Sequence, residues 1–312
     1  MKHRILILNP QMRLLMPQYG HLFDPQKFEV VVHHTEQRVE EAELYDLIEG
    51  FDGVIAGGDE FTEHVLAHAG RLKVISKWGV GVDTVDLEAA RRLGIQVHWS
   101  PGAFADPVAD AAFGYVLMFA RRLHELDEVA KAGRWAKPTG LALRTRTIGV
   151  VGVGHIGKEL IRRAKPFKMR LLGNDIVPMP EDFLQETDVR MVALDTLLAE
   201  SDFVCICADL NETSYHLIDA GALGKMKPAA YLINVARGKI VDEAALIAAL
   251  QKGEIAGAAL DVFEVEPPAP DNPLRKMDNV IFGTHNAYNE DDGVDWVTRN
   301  TIKNLIEGLD GC

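Results

Sequence analysis

The stretch Thr147-Ile-Gly-Val-Val-Gly-Val-Gly-His-Ile-Gly157 decides the fold, together with the run Lys158-Glu-Leu-Ile-Arg-Arg-Ala-Lys-Pro-Phe167 and the segment Arg170-Leu-Leu-Gly-Asn-Asp175 that follow it. An apolar β-rich run enters a glycine turn, an amphipathic helical run leaves it, and a second β-rich run ends on an acid. Gly152 permits the tight turn, Gly154 lets backbone approach a pyrophosphate, and Gly157 lets the helix pack closely on the strand. The helix N-terminus offers free N–H groups and a partial positive charge to phosphates. His155 and Ile156 in its first turn are candidate contacts of the same site, although His155 reads more readily as a variable position of the turn. Asp175 stands near the spacing of about 20 residues at which a carboxylate meets the adenosine ribose. The following Ile176-Val177-Pro178 supplies no cation for a 2′-phosphate. The expected cofactor is NAD rather than NADP.

Outward from the turn, short β-rich runs alternate with helix-period segments. The strand candidates are residues 4–8, 28–33, 53–56, 72–76, 147–152, 170–174, 203–207, 229–234, 257–260 and 279–282. The helical ones include 87–93, 107–123, 156–167, 243–251 and 294–309. Such alternation means βαβ units and parallel sheets. The expected class is therefore α/β, with two Rossmann-like, doubly wound parallel-sheet domains. A dinucleotide fold begins at its glycine turn, yet here about four strands precede it. Residues 1–99 are thus expected to form a separate α/β domain, completed by the final helix as residues 287–312, with the NAD-binding domain at 100–286.

The chain has 312 residues, with 33 Lys+Arg against 46 Asp+Glu and a formal net charge of -13. That acid excess opposes nucleic acid and anionic membrane surfaces, both of which need cations. The uncharged apolar run Ala111–Ala120 lies between Asp110 and Arg121 and falls short of the ~18 residues that span a bilayer. It reads as a buried interdomain or dimer helix. The start MKHRILILNP carries no cleavage pattern of an export signal. Cys205, Cys207 and Cys312 are odd in number, and the first two suit neither a disulfide nor a zinc site. They read as small buried hydrophobes of a reduced, cytoplasmic protein, and no metal is expected.

Three polar groups each follow a strand candidate: Arg237 in Asn234-Val-Ala-Arg-Gly238, Glu266 in Asp261-Val-Phe-Glu-Val-Glu-Pro-Pro268, and His285 in Gly283-Thr-His-Asn286. Open parallel sheets place ligands beyond the carboxyl ends of their strands. Arginine grips a carboxylate in a bidentate fork, histidine trades a proton near neutral pH, and a neighbouring glutamate favours the protonated imidazole. The set suits hydride transfer beside a nicotinamide.

Five ordered blocks now become recognisable: KWGVGVDTVDLEAARRLGI, SPGAFADPVAD, VGVGHIG, NVARGKIVDEAAL, and AALDVFEVEPP followed by THNAYN. Across essentially its whole length the chain resembles the D-isomer-specific 2-hydroxyacid dehydrogenases, the family of phosphoglycerate, glyoxylate/hydroxypyruvate and D-lactate dehydrogenases. The resemblance implies that Arg237 orients the substrate carboxylate, that His285 is the acid/base and that Glu266 is its partner. It further implies that Asp261 contacts the nicotinamide, that Cys207 and Ala236 line the cofactor pocket, and that backbone N–H groups of Val80 and Gly81 cradle the carboxylate. It implies a flavodoxin-like substrate domain and a homodimer, with Trp135 on the dimer arm. Thr284 stands where the family usually has proline, Cys207 and Asp209 where it commonly has His and Pro, and Asp110 where it has Glu.

The remaining polar groups read as structural: His33, His34 and His216, the solvated i, i+4 pair His64 and His68, and the acids Glu290-Asp-Asp292 at a helix start. In phosphoglycerate enzymes of the family a basic segment after the third strand helps to bind phosphate. Here Ala56-Gly-Gly-Asp-Glu-Phe61 carries two acids and no cation. The expected substrate is a small non-phosphorylated 2-keto acid such as glyoxylate, hydroxypyruvate or pyruvate. The alternative is D-3-phosphoglycerate, because the block SKWGVGVDTVDLEAARRLGI resembles that branch. Formate enzymes carry Gln at the position of Glu266. An NADH-sensing, corepressor-like binding protein is the remoter alternative.

Overall fold

The computed structural model describes residues 2–35 and 38–311, so Cys312 lies outside the described residues. The chain divides into two compact units, residues 1–104 with 290–312, and residues 105–289. The sequence reading puts these junctions at 99/100 and 286/287. The first moves because the turn after Ser100 stays with the first unit, where Ser100 N–H donates to the Gly79 carbonyl and Phe104 packs on Trp78.

The first unit holds β1 (His3–Ile7), β2 (Phe28–Val32), β3 (Gly53–Ala56), β4 (Val74–Lys77) and β5 (Gln96–His98). All pairs are parallel, in the order β2-β1-β3-β4-β5. This is the flavodoxin-like order 2-1-3-4-5. Every residue of β3 and β4 is buried, as strands covered on both faces must be. One cover is the last helix, Asp291–Asp310, whose N-cap Glu290 accepts the Gly293 N–H at 2.7 Å, with Asp291 and Asp292 in the first turn. It is fastened to the sheet by Ser76 Oγ–H to the Thr301 carbonyl (2.8 Å) and Trp78 Nε1–H to Thr298 Oγ1 (2.9 Å). A Cβ on Gly53 would meet Leu305 at 2.9 Å, and one on Gly308 would meet Val74 at 2.9 Å, so small residues set this close approach.

The second unit holds β6 (Thr147–Val151), β7 (Arg170–Asn174), β8 (Arg190–Met191), β9 (Phe203–Ile206), β10 (Tyr231–Asn234), β11 (Gly257–Leu260) and β12 (Val280–Phe282). They run parallel in the order β12-β11-β10-β9-β6-β7-β8. Counted from β6, this is the dinucleotide-binding order 3-2-1-4-5-6 with one further strand beyond the sixth. The register is flush at the carboxyl edge: Asn174 pairs Val151, Val151 pairs Ile206, Ile206 pairs Asn234, Asn234 pairs Leu260 and Leu260 pairs Phe282. Asp175, Gly152, Cys207, Val235, Asp261 and Gly283 therefore stand in a row just past the strand ends. The helix Ala105–Arg121 opens the unit and contains the apolar run 111–120. Arg163 clamps it to the helix His155–Ala164, bonding Asp106 at 2.7 Å, Asp110 at 2.5 Å and Glu159 at 3.0 Å. Among the described residues no helix is long and apolar enough to cross a membrane.

Strands β5 and β8 were not expected from the sequence. Both are short edge strands with polar residues, three and two residues long. A fixed charge also anchors the first sheet. The carboxylate of Asp52, 7% exposed, accepts the Arg4 N–H at 2.9 Å and Arg71 Nη2 at 3.0 and 2.9 Å. Burial works to raise its pKa, but the Arg4 N–H and the Arg71 guanidinium outweigh it and hold the carboxyl below its usual range. The resulting stabilisation is fully present above the unfolded-state value of about 3.9 and is lost as pH falls through the depressed folded value. Asp52→Asn is expected to cost about 2 kcal/mol at pH 7. In urea titrations the gap between wild type and variant should close below about pH 4; a gap unchanged from neutral to strongly acid pH would contradict this.

Candidate active site

The glycine turn shows a division of labour among its three glycines. Gly152 sits at φ +86°, and a Cβ there would lie 2.4 Å from backbone atoms of Ala208. A Cβ on Gly157 would lie 2.1 Å from the Gly152 carbonyl oxygen. Gly154 differs, for a Cβ there would meet nothing within 4 Å. It leaves open space in front of the helix His155–Ala164, which no side chain caps. The first amides of a helix have no intrahelical acceptor, so those of His155, Ile156 and Gly157 are available to an anion. Asp175 leans over the turn, its Oδ2 accepting Val153 N–H at 2.6 Å and its Oδ1 accepting Val177 N–H at 2.8 Å. Each carboxylate oxygen keeps a lone pair for a further donor. Beside it Ile176 is 79% exposed, an apolar platform with no partner in its own unit's core.

The other cofactor-site candidates line the same edge. The Cys207 N–H donates to the Val151 carbonyl at 2.8 Å, and its buried thiol is pushed up to about 12 by burial, so it acts as a small hydrophobe. Cys205, fully buried one repeat earlier, is shifted the same way. Asn234, 1% exposed, folds back on the chain after β10: its Oδ1 accepts the Ala236 N–H at 3.1 Å and its Nδ2 donates to the Arg237 carbonyl at 2.9 Å. This brace presents Arg237, whose Nη1 also donates to the Ala236 carbonyl at 2.8 Å.

Glu266 and His285 meet directly, Nδ1 to Oε2, at 2.6 Å. The other carboxylate oxygen of Glu266 accepts the Phe263 N–H at 2.9 Å. Burial pushes the Glu266 carboxyl up, yet the His285 bond and charge, the Phe263 N–H and the Arg237 charge together hold it below the usual carboxylate range. Arg237 thus acts on the same carboxylate, and the three groups form one electrostatic set. An ionised Glu266 accepts a hydrogen bond from Nδ1–H, which leaves Nε2 of His285 free for chemistry on a side chain 44% exposed. His285 itself adopts φ +53°, a conformation uncommon outside glycine. Asp261, 3% exposed, holds that turn: its carbonyl accepts the His285 N–H at 2.7 Å, and its carboxylate accepts the amides of Asn286 (3.2 Å) and Ala287 (3.0 Å).

Val80 and Gly81 belong to the first unit, in the half-exposed loop after β4, where Gly79 turns at φ +135°. The buried Lys77 stiffens that loop's start, donating to the Gly57 carbonyl and, at 3.1 Å, to Thr84 Oγ1. The neighbouring acid Asp59 has a different role from the one its sequence suggests. It is fully buried, and its carboxylate accepts the amides of Val39 (2.9 Å) and Gly57 (2.7 Å). Its oxygens serve the loop, because two inward N–H groups need an acceptor, and they are closed off from solvent. Glu60 pairs with Arg38 at 3.2 Å, and Arg38 also binds Glu40 at 2.9 Å.

The histidines outside the site have local partners. His64 and His68 both stack on Tyr45, at 4.5 and 3.8 Å, and His64 lies 3.5 Å from Glu41. His33 meets Glu43 at 3.0 Å, and His216 lies 2.9 Å from Glu264. Among the described residues no group of three side chains could hold a metal ion. Trp135 is 87% exposed. The sequence reading missed Asn234 and the bracing role of Asp261. A polar residue ending an otherwise apolar strand was the available signal for both.

Residues 113–287 match the family pattern described as the NAD-binding domain of D-isomer specific 2-hydroxyacid dehydrogenases. The chain is 41% identical to the glyoxylate reductase of Thermofilum pendens, over 81% of this chain and 76% of that one. It is 36% identical to the D-3-phosphoglycerate dehydrogenase of Archaeoglobus fulgidus, over 88% of this chain and 52% of that one. Its fold matches the crystal structure of the Aquifex aeolicus D-lactate dehydrogenase complexed with NAD and lactic acid, with TM-score 0.89 and 28% identity, covering 99% of this chain and 96% of that one. With a glycine turn fitted to a pyrophosphate and an Arg–Glu–His set along the same sheet edge, the chain belongs to the D-isomer specific 2-hydroxyacid dehydrogenases, a family of NAD-dependent oxidoreductases.

Proposed function

We propose that this chain interconverts a small, non-phosphorylated 2-keto acid of the glyoxylate, hydroxypyruvate or pyruvate type and the matching D-2-hydroxy acid, with His285 as acid/base. The observation that carries this reading is the 2.6 Å pair of His285 with an ionised Glu266 beside Arg237. Gly152, Gly154, His155, Ile156, Gly157, Asp175, Cys207, Ala236 and Asp261 would hold NAD, which when bound would supply or accept the hydride at C2. Arg237 grips the substrate carboxylate in a bidentate fork. Nε2 of His285 delivers a proton to the carbonyl oxygen as that oxygen gains charge, and recovers one in the oxidative direction. Glu266 fixes the imidazole's orientation through the Nδ1 hydrogen bond.

The substrate class is supported by the glyoxylate reductases among the relatives and by the state of Arg38. That guanidinium, bonded to Glu60 of the Gly57–Glu60 loop, already serves two carboxylates. The A. fulgidus relative favours D-3-phosphoglycerate as the second reading. The proposal includes a cytoplasmic homodimer, for which the buried free thiols of Cys205 and Cys207 and the exposed Trp135 are the supports. Light scattering tests the dimer. NADH oxidation against glyoxylate, hydroxypyruvate, pyruvate, phenylpyruvate and 3-phosphohydroxypyruvate tests the activity. The expected kcat/KM for one of the first three is at least about tenfold above that for the phosphorylated acid. The reverse order overturns the substrate class, and no turnover with any acid overturns the reading altogether.

A further inference from the structure

The loop that carries Glu266 is tied down two residues earlier. The helix Glu243–Lys252 starts beside it, and the first amides of a helix lack intrahelical acceptors. The N-cap Asp242 accepts the Ala245 N–H at 2.9 Å. The Glu243 N–H is met from outside the helix, by Glu264 Oε1 at 3.0 Å, and a carboxylate there also suits the helix dipole. Glu243 returns the bond, its Oε2 accepting the Glu264 N–H at 3.2 Å. Its other oxygen, Oε1, accepts Asn272 Nδ2–H at 2.7 Å, so the carboxylate is held from two directions. His216 Nε2 lies 2.9 Å from the same Glu264 oxygen. Each glutamate thus grips the other's main chain with its side chain.

We propose that Glu264 and Glu243 are positioning residues for the acid/base pair, their reciprocal clasp fixing the Phe263–Glu264 peptide on which the Glu266 carboxylate leans. The inference rests on the proposed function for the roles of Glu266 and His285, and on the hydrogen bonds alone for the clasp. Glu266 reaches back along its own loop, Oε1 accepting the Phe263 N–H at 2.9 Å, while Oε2 meets His285 Nδ1 at 2.6 Å. The carboxylate that orients the imidazole is therefore only as steady as the peptide behind it. Upstream, the Asp261 N–H donates to the Asn234 carbonyl at 3.0 Å and holds the chain at the end of β11. The clasp holds it again at Glu264. Gly238, the neighbour of Arg237, abuts the same peptide, for a Cβ there would lie 2.4 Å from the Glu264 nitrogen.

Two substitutions at one position test this. Glu264→Ala removes the acceptor, whereas Glu264→Gln keeps an amide oxygen that can take the Glu243 N–H. In the cofactor-free protein, amide hydrogen exchange at residues 262–266 is expected to quicken in Glu264→Ala and to keep the wild-type rate in Glu264→Gln. In turnover, Glu264→Ala is expected to lower kcat about tenfold, with the keto-acid KM and the NADH dissociation constant within about twofold of wild type, because the proton donor's partner is displaced rather than the binding groups. Glu264→Gln should restore kcat to within about twofold of wild type. Since the clasp acts through Glu266, Glu264→Ala should cause no further loss in a Glu266→Ala background. Glu243→Ala opens the clasp from the helix side and carries the same expectations if Glu264→Ala does not fold. All rates are taken well below each melting transition. Unchanged exchange at 262–266, an unchanged kcat, a glutamine variant as slow as the alanine one, or an undiminished loss in the Glu266→Ala background each overturn the proposal. An inactive wild type overturns the proposed function instead, and the exchange arm still judges the clasp.

Discussion

His285→Ala is expected to lower kcat for keto-acid reduction by about 10³-fold while leaving the NADH dissociation constant within about twofold of wild type. The proton delivered to the carbonyl oxygen has His285 Nε2 as its source, and no second acid stands on the Glu266–Arg237 side of the set, since Glu266 is held ionised and arginine does not deprotonate. The cofactor's anchor points lie elsewhere, at the glycine turn and Asp175. His285 adopts φ +53°, a left-handed conformation that histidine enters more readily than alanine, so alanine removes the imidazole and also strains the turn. His285→Asn sharpens the comparison, because asparagine tolerates this conformation and keeps the turn. Stopped-flow NADH oxidation measures the chemical step, and fluorescence titration measures cofactor affinity. A variant that retains a tenth or more of the wild-type rate would identify another residue as the acid.

Gly238→Ala is expected to lower kcat/KM by about 10²-fold and, unlike His285→Ala, to raise the keto-acid KM as well. An added Cβ at Gly238 would lie 1.9 Å from both the Phe263 carbonyl carbon and its oxygen, and 2.4 Å from the Glu264 nitrogen. All three are backbone atoms, so no rotamer relieves the clash and the two loops must part. One loop carries Arg237, the neighbour of Gly238. The other carries Glu266, whose Oε1 is bonded to the Phe263 N–H itself. Parting them separates the carboxylate grip from the proton donor's partner. The forced repacking costs about 1–3 kcal/mol, so the melting temperature should drop by several degrees. Steady-state kinetics with varied keto acid, run beside a thermal melt, checks both. Wild-type kcat/KM in Gly238→Ala would mean that the loops move freely of one another.

Much of the candidate site's edge was legible because the second sheet is flush. Gly152 and Asp175 follow from the glycine turn and its spacing, Cys207 and Asp261 from the family resemblance, and the flush register puts all four just past the strand ends. Arg237, Glu266 and His285 lie only a few positions further on. Less legible were features whose meaning depends on what the chain folds against. Strand β8 has two residues, one of them Arg190, and no periodicity emerges from so few. Asp59 looks like loop charge until the fold turns it inward onto the amides of Val39 and Gly57.

The helix that closes the first sheet also fixes a timetable for synthesis. Trp78 and Ser76 find their partners Thr298 and Thr301 only 220 and 225 residues later. At ribosomal rates of about 5–20 residues per second, β4 is made roughly 10–45 s before the chain that covers it. The seven-stranded unit has all its strands in hand by then. The unit begun first is therefore the last to be finished, and during that interval the nascent chain holds out an uncovered apolar sheet face to chaperones and to neighbouring chains.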